Sequence, residues 1–191
     1  MADEVSWNPA FARRTARLAG SEIRELLKLL GRSNIISFAG GIPDPELFPH
    51  EAIRAVTDAI LDDADQRQVA LQYSVSEGYA PLRDWLATDM RRLGVRCDPE
   101  NVIVVNGSQQ GIDFAARLFL DPGSCVLVQT PTFLGALQTF DSYEAVYRPF
   151  APEAVMDEAG VAARLAYVMT DFHNPTGHTM TLDERQDMVR L

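Results

Sequence analysis

A chain of 191 residues is long enough to bury a core within one domain, and 47% hydrophobic with 23% charged residues marks it as globular, neither disordered nor fibrous. A formal net charge of −10 repels polyanions, which argues against nucleic acid and anionic membranes as partners. Among 17 basic residues Lys28 is the one lysine, so within this sequence any chemistry needing a lysine amine falls on that position.

The opening "MADEVSWNPAFARRTARLAG" carries Asp3 and Glu4 and no apolar core, unlike a secretory signal; the cluster Arg13, Arg14 and Arg17 only faintly resembles a transit sequence. No run approaches the roughly 20 apolar residues that span a bilayer. Next comes "SEIRELLKLL", with Ile23, Leu26, Leu27 and Leu30 on one helical face and Ser21, Arg24 and Lys28 on the other, ended by Gly31. A short strand, the Gly40-Gly41 turn and a proline-spaced loop precede a helix from about His50, which carries Ile53, Val56 and Ile60. Another helix is predicted from about Tyr79 to Leu93, with Leu82, Leu86 and Leu93 on one side.

Beyond it, short β-rich runs alternate with helices. The predicted strands are "NVIVV" (101–105), "SCVLVQ" (124–129), "EAVYRPF" (144–150) and "LAYVMT" (165–170). Helices are predicted to begin near Gln109 and Thr132, with a third from about Asp157 to Leu165. Near-continuous apolar strands alternating with helices specify an α/β fold, a mostly parallel sheet with helices on both faces. The final "TLDERQDMVRL" opens with a capping box, Thr181 to Glu184, and stops after about three turns without a terminator, as if the sequence were cut there. Cys97 and Cys125 form no CxxC and have no histidine at ligand spacing, so free thiols in a reducing cytoplasm and no metal are expected.

Three strand ends carry residues with chemistry. In "NGSQQG", Asn106-Gly107 leads through Ser108 and Gln109 into a helix, which points free N–H groups and the positive end of the helix dipole at one spot. The turn lacks both GxxxxGK[ST] and GxGxxG, and on its own reads more readily as a plain helix cap than as an anion site. "DFHNPTGHT" places Asn174 at the carboxyl end of the last strand, where open α/β sheets bind ligands, although Asn-Pro with Thr-Gly is also simply a good turn. "QTPTF" presents Phe133, either as core or as a plate for a heterocycle. Upstream, Tyr73 in "LQYSVSEGYAPLR" is a usable phosphate donor or an ordinary interface tyrosine. A phosphate cradle, an aromatic plate and an amide suited to a ring oxygen together describe a site for pyridoxal phosphate.

With these motifs, joined by "ISFAGGIPDPELFP" and "TPTFLGALQTF" in order from about Ser6 onward, the sequence resembles the fold-type I pyridoxal-phosphate-dependent class I/II aminotransferases. It resembles most the branch of 2-aminoadipate and kynurenine-type enzymes. The resemblance implies that Ser108 and Gln109 bind the cofactor phosphate, that Tyr73 reaches the phosphate in the partner subunit of a homodimer, and that Phe133 stacks on the pyridine where the branch usually has tyrosine. It further implies that Asn174 hydrogen-bonds the phenolic oxygen, that Gly41 and Asn174 meet the substrate, and that Arg24 with Ser21 lies near the substrate side chain. Residues 1–50 would form an N-terminal arm and residues 51–191 the first part of the cofactor-binding domain.

His173 stands where glutamine is common. The family's Schiff-base lysine, its pyridine-binding aspartate and its carboxylate-binding arginine come later in the family's chain and have no match here. Lys28, in the arm, cannot take the lysine's role, so these residues by themselves are expected not to transaminate amino and 2-oxo acids. The alternatives are a non-catalytic cofactor-binding module or the effector domain of a MocR-type regulator, and an unrelated doubly wound protein that binds another phosphate ligand.

Overall fold

A computed structural model describes residues 10–18, 41, 43–156 and 160–190. The helix expected at Ser21 to Leu30, the strand after it, and with them Ser21, Arg24 and Lys28 lie outside the described residues. The chain divides into two compact units, Gly20–Val105 and Met1–Ala19 with Asn106–Leu191.

The first unit is helical. α1 (His50–Asp62) and α2 (Ala64–Ala70) meet at Asp63, whose carboxylate accepts the N–H groups of Asp65 and Gln66 and caps α2. Those bonds, Gln66 first, hold the Asp63 carboxyl below the usual carboxylate range. α3 (Ala80–Arg92) starts with a proline in its first turn and ends on Arg91 and Arg92, which suit the negative end of the helix dipole. Arg83 donates to the carbonyls of Pro99 (2.6 and 3.2 Å) and Val102 (2.9 Å) and ties α3 to the segment that follows.

That segment corrects an expectation. Residues 101–105 are not a strand: Pro99–Asn101 is a 3-10 turn and the remainder is extended without a ladder. An apolar β-prone run becomes a strand only when a neighbour pairs its backbone, and here, among the described residues, Val104 N–H finds the Glu77 carbonyl at 2.9 Å and no ladder.

The second unit contains α4 (Ser108–Phe119), β1 (Cys125–Val128), α5 (Leu134–Asp141), β2 (Val146–Pro149), β3 (Leu165–Tyr167) and α6 (Leu182–Val189). The three strands are parallel in the order β2-β1-β3, with Cys125 opposite Val146 and Val126 opposite Leu165. β1 is central and all four of its residues are buried, as expected of an apolar run covered on both faces. Pro149 has no N–H and lies on an outer strand.

The core joins Ala116, Leu120, Val126, Val128, Ala136, Phe140 and Ala145 from both helices and the sheet, and Phe140 meets Tyr167 edge-on at 6.0 Å. The N-terminal arginines serve this unit. Arg13 pairs with Glu144 at 2.9 Å and Arg17 donates to the Ala145 carbonyl.

A second correction concerns the helix expected from Asp157 to Leu165. Residues 160–164 are not helical: Gly160 turns at φ +78°, and the chain doubles back so that Met156 bridges Ala162 in antiparallel fashion. The return feeds straight into β3, and Arg148 fixes it by donating to the carbonyls of Ala154 and Val161. No helix among the described residues is long and apolar enough to cross a membrane.

Candidate functional site

Because β1, β2 and β3 are parallel, the segments that follow them gather at one edge of the sheet. There Gln129, Thr130 and Pro131 after β1, Phe150 after β2, and His173, Thr176 and His178 after β3 line a recess of about 430 Å³. Gln129 extends the β1–β3 pairing past the strand ends, its amide accepting from Met169 N–H at 2.7 Å and donating to the Met169 carbonyl at 3.4 Å.

α4 begins behind a backbone position that glycine alone adopts readily. Gly107 has φ +80° and ψ 167°, a region that only glycine occupies at little cost. The first N–H of the helix to find a backbone acceptor is that of Gln110, on Gly107 at 3.2 Å. The N–H groups of Ser108 and Gln109 and the Ser108 hydroxyl therefore have no partner among the described residues and stand at the exposed positive end of a helix of 12 residues. Ser108 also edges a recess of about 290 Å³ floored by Ile112, Phe140 and Tyr167. Burial raises the Tyr167 phenol's pKa and keeps it protonated.

The Gln109 side chain is engaged elsewhere. Its amide donates to the Gly135 carbonyl at 2.9 Å and to the Thr139 hydroxyl, and so braces the start of α4 against the first turn of α5. That turn carries Phe133. Its ring is half-buried, packs on the core cluster and folds back over Gly135, where a Cβ would lie 2.5 Å from the ring edge and 3.1 Å from Gln109 Oε1. Glycine at 135 is thus what lets the ring lie where it does. Of the two readings of Phe133, its core packing is observed.

The loop of residues 171–179 carries Asn174, which is exposed and whose amide has no partner among the described residues. The loop is closed below by pairing of Met180 N–H with the Thr170 carbonyl and His173 N–H with the His178 carbonyl, both at 2.8 Å. His173 is 4% exposed; Nδ1 meets the Thr176 hydroxyl at 2.8 Å, and buried Nε2 has no partner among the described residues. The sequence marked His173 only as a departure from glutamine, whereas its ring sets the turn next to Asn174.

From α6, Arg185 and Glu184 reach the same loop. Arg185 donates to both Asp171 oxygens (2.7 and 3.2 Å), and the bond holds the Asp171 carboxyl below the usual range. Glu184 accepts from Thr181 N–H at 2.7 Å in the expected capping box and faces His178 Nε2 at 3.3 Å. Neither residue was singled out for the site from sequence, where the segment showed only its cap.

Ser108, Gln109, Phe133 and Asn174 thus belong to one unit: Gln109 and Phe133 meet at Gly135, Ser108 starts the same helix as Gln109, and Asn174 stands on the loop after β3. Tyr73 and Gly41 belong to the other: Tyr73 is 99% exposed beside Gln72 and Tyr79, and Gly41 is an exposed turn residue at φ +57°. Unpaired main-chain donors behind a glycine with no Cβ, a serine hydroxyl, a half-buried aromatic and a free amide suit a small ligand bearing a phosphate, a flat ring and a ring oxygen.

Comparison with known proteins points to one family. The family model described as aminotransferase class I and II matches residues 33–191. A 2-aminoadipate transaminase of Thermus thermophilus is 38% identical over 98% of this chain and 47% of its own length. An aromatic-amino-acid aminotransferase of Thermococcus litoralis is 35% identical over 100% of this chain and 48% of its own length. Among solved structures, an α-aminoadipate aminotransferase from Thermus thermophilus, complexed with N-(5′-phosphopyridoxyl)-L-leucine, superposes with a TM-score of 0.79 at 36% identity, over 97% of this chain and 47% of that one. The chain spans about half the length of the curated relatives it matches.

Proposed function

Since the chain belongs to the class I and II aminotransferase family, we propose that it is the N-terminal part of a pyridoxal-phosphate-dependent aminotransferase. The reaction would move an amino group between an amino acid, 2-aminoadipate-like, aromatic or of broader range, and a 2-oxo acid. The observation that carries this reading is the open cradle. Behind Gly107, two main-chain N–H groups and the Ser108 hydroxyl are exposed and without partners among the described residues, on the same unit as Asn174. The names of the relatives and the phosphopyridoxyl ligand of the Thermus structure support the substrate class and the cofactor.

When bound, pyridoxal phosphate supplies an electron-withdrawing ring that acts as an electron sink. Ser108 would hold its phosphate through N–H and hydroxyl, and Gln109 through its N–H, because the Gln109 side chain is occupied by Gly135 and Thr139. Asn174 would donate to the phenolic oxygen, and Phe133 would offer the ring face that its core packing leaves free. Tyr73 would serve the phosphate of a partner subunit, Gly41 the substrate carboxylate, and Arg24 with Ser21 the substrate side chain. Residues 1–50 would act as an arm and 51–191 as the first part of the cofactor domain, in a cytoplasmic homodimer. The free thiols Cys97 and Cys125 support a reducing compartment.

A covalent link to the cofactor requires a lysine amine, and Lys28 is the one lysine of the sequence. Absorbance titration of the chain with pyridoxal phosphate should therefore saturate and be competed by inorganic phosphate. Borohydride reduction followed by mass spectrometry should leave Lys28 unmodified. A stoichiometric pyridoxyl adduct on Lys28 would overturn the assignment of a non-covalent cradle to these residues.

A further inference from the structure

The Asn174 loop leaves β3 at Thr170 and returns at Met180, and its tip amide is exposed. A surface loop of this length holds one conformation only if its neck is tied. The strongest tie comes from Arg185 on α6. Its Nη2 donates to Asp171 Oδ1 at 2.7 Å and to the Thr170 carbonyl at 3.3 Å, Nη1 to Asp171 Oδ2 at 3.2 Å, and Nε to the Met180 carbonyl at 3.1 Å. One guanidinium thus spans the outgoing and returning strands of the neck and forks onto the carboxylate beside them.

Only a planar group with donors on both edges can do this; an ammonium on the same stem offers a point charge and no fork. The next residue back, Glu184, faces His178 on the returning strand, and His173 ties itself to Thr176, so ties flank Asn174 on both sides. Both residues lie in the first turn of α6, whose start is fixed by the capping box.

We infer that Arg185 is a positioning residue for Asn174: it closes the neck of the loop and presets the amide for the cofactor's ring oxygen. The inference rests on the reading of Asn174 given under Proposed function. Arg185 touches no ligand itself and acts through Asp171 and the two neck carbonyls.

The test uses the full 191-residue chain and two aldehyde-free probes, 4′-deoxypyridoxine 5′-phosphate and its counterpart without the ring hydroxyl. Affinities are read by calorimetry, with inorganic phosphate as a third probe. Wild type should favour the hydroxylated probe about tenfold, the size of one charge-assisted hydrogen bond. Asn174→Ala, Arg185→Ala, Arg185→Lys and Asp171→Asn should each bring that ratio to within about twofold, while phosphate affinity stays unchanged because the Gly107 cradle is intact.

Amide exchange across residues 171–180 should also quicken in the Arg185 and Asp171 variants. A wild type that does not discriminate between the probes overturns the reading of Asn174 and the inference with it. A wild type that discriminates, with Arg185→Lys and Asp171→Asn discriminating equally well, overturns the inference alone. Should Arg185→Ala lose phosphate binding as well, its fold is lost, and the two milder variants decide.

Discussion

Two helices of this protein carry apolar residues at helical spacing and bury them to opposite degrees. In α1, Ile53 and Val56 are 58% and 60% exposed; in α5, Ala136 and Phe140 are 0% and 1% exposed. Periodicity specifies a face, but burial requires a surface to meet it, and for α5 that surface is the sheet and α4. The same contrast separates the two candidate sets of binding residues. Ser108, Gln109, Phe133 and Asn174 are mounted on elements that share a core, while Tyr73 projects from a stretch whose apolar side chains stay exposed.

Phe140→Ala probes this contrast most severely. It should cost about 3–5 kcal/mol in urea denaturation, whereas Ile53→Ala should stay within about 0.5 kcal/mol. Equal costs would mean that the α1 face is covered in solution. Next, Gly107→Ala forces a Cβ onto a backbone at φ +80° and ψ 167°. The strain is worth about 1–3 kcal/mol, and relieving it turns the Ser108 and Gln109 N–H groups away, so phosphate affinity should fall by about tenfold or more in the same calorimetry.

Gly135→Ala acts more locally. The new Cβ would meet the Phe133 ring at 2.5 Å and should cost about 1–2 kcal/mol, with the ring shift visible in its aromatic proton resonances. Thr181→Ala removes the cap of α6 and should cost about 1 kcal/mol, read as faster amide exchange in the first turn of that helix.

The smallest effect is one of pH. Arg185 and Thr170 lower the pKa of Asp171, and the Thr181 backbone and side chain, followed by His178, lower that of Glu184. Carboxyls depressed in the folded state contribute stability that is complete above their ordinary pKa and is lost as pH falls through the lowered values. Exchange across residues 171–180 should accordingly be steady at neutral pH and rise, after correction for intrinsic rates, only once the pH drops below the ordinary carboxylate range. Both groups are largely solvated, so the change should stay confined to the loop.

Much of the second unit was legible in sequence because its signals are local. Apolar runs placed β1 and β2 within a residue or two of their ends and the start of β3, which stops at Tyr167 and not at 170, and Gly107-Ser108 and Thr181 to Glu184 marked helix starts that the structure contains. The strand expected at 101–105 failed because a ladder depends on a partner, and the helix expected at 157–165 is not found at 160–164 because Gly160 and the Met156–Ala162 bridge turn the chain back.

Of the candidate site residues, Ser108 was picked out by the glycine-to-helix turn and Asn174 by the turn after β3. Arg185 could not be picked out, because an arginine on a polar helix looks like a solvated one until the loop from Thr170 to Met180 returns beneath it. Gln109 was found for its position, but its side chain braces α5, an interaction spanning 26 to 30 residues that no local pattern encodes.

The most direct test of the cradle is a backbone amide NMR titration of the 191-residue chain with 4′-deoxypyridoxine 5′-phosphate. The largest saturable shifts should fall on Gly107, Ser108 and Gln109, with a second set on residues 172–177 that inorganic phosphate alone does not reproduce. Saturable binding whose shifts leave Gly107 to Gln109 unmoved, or no saturable binding in a folded chain, would contradict it.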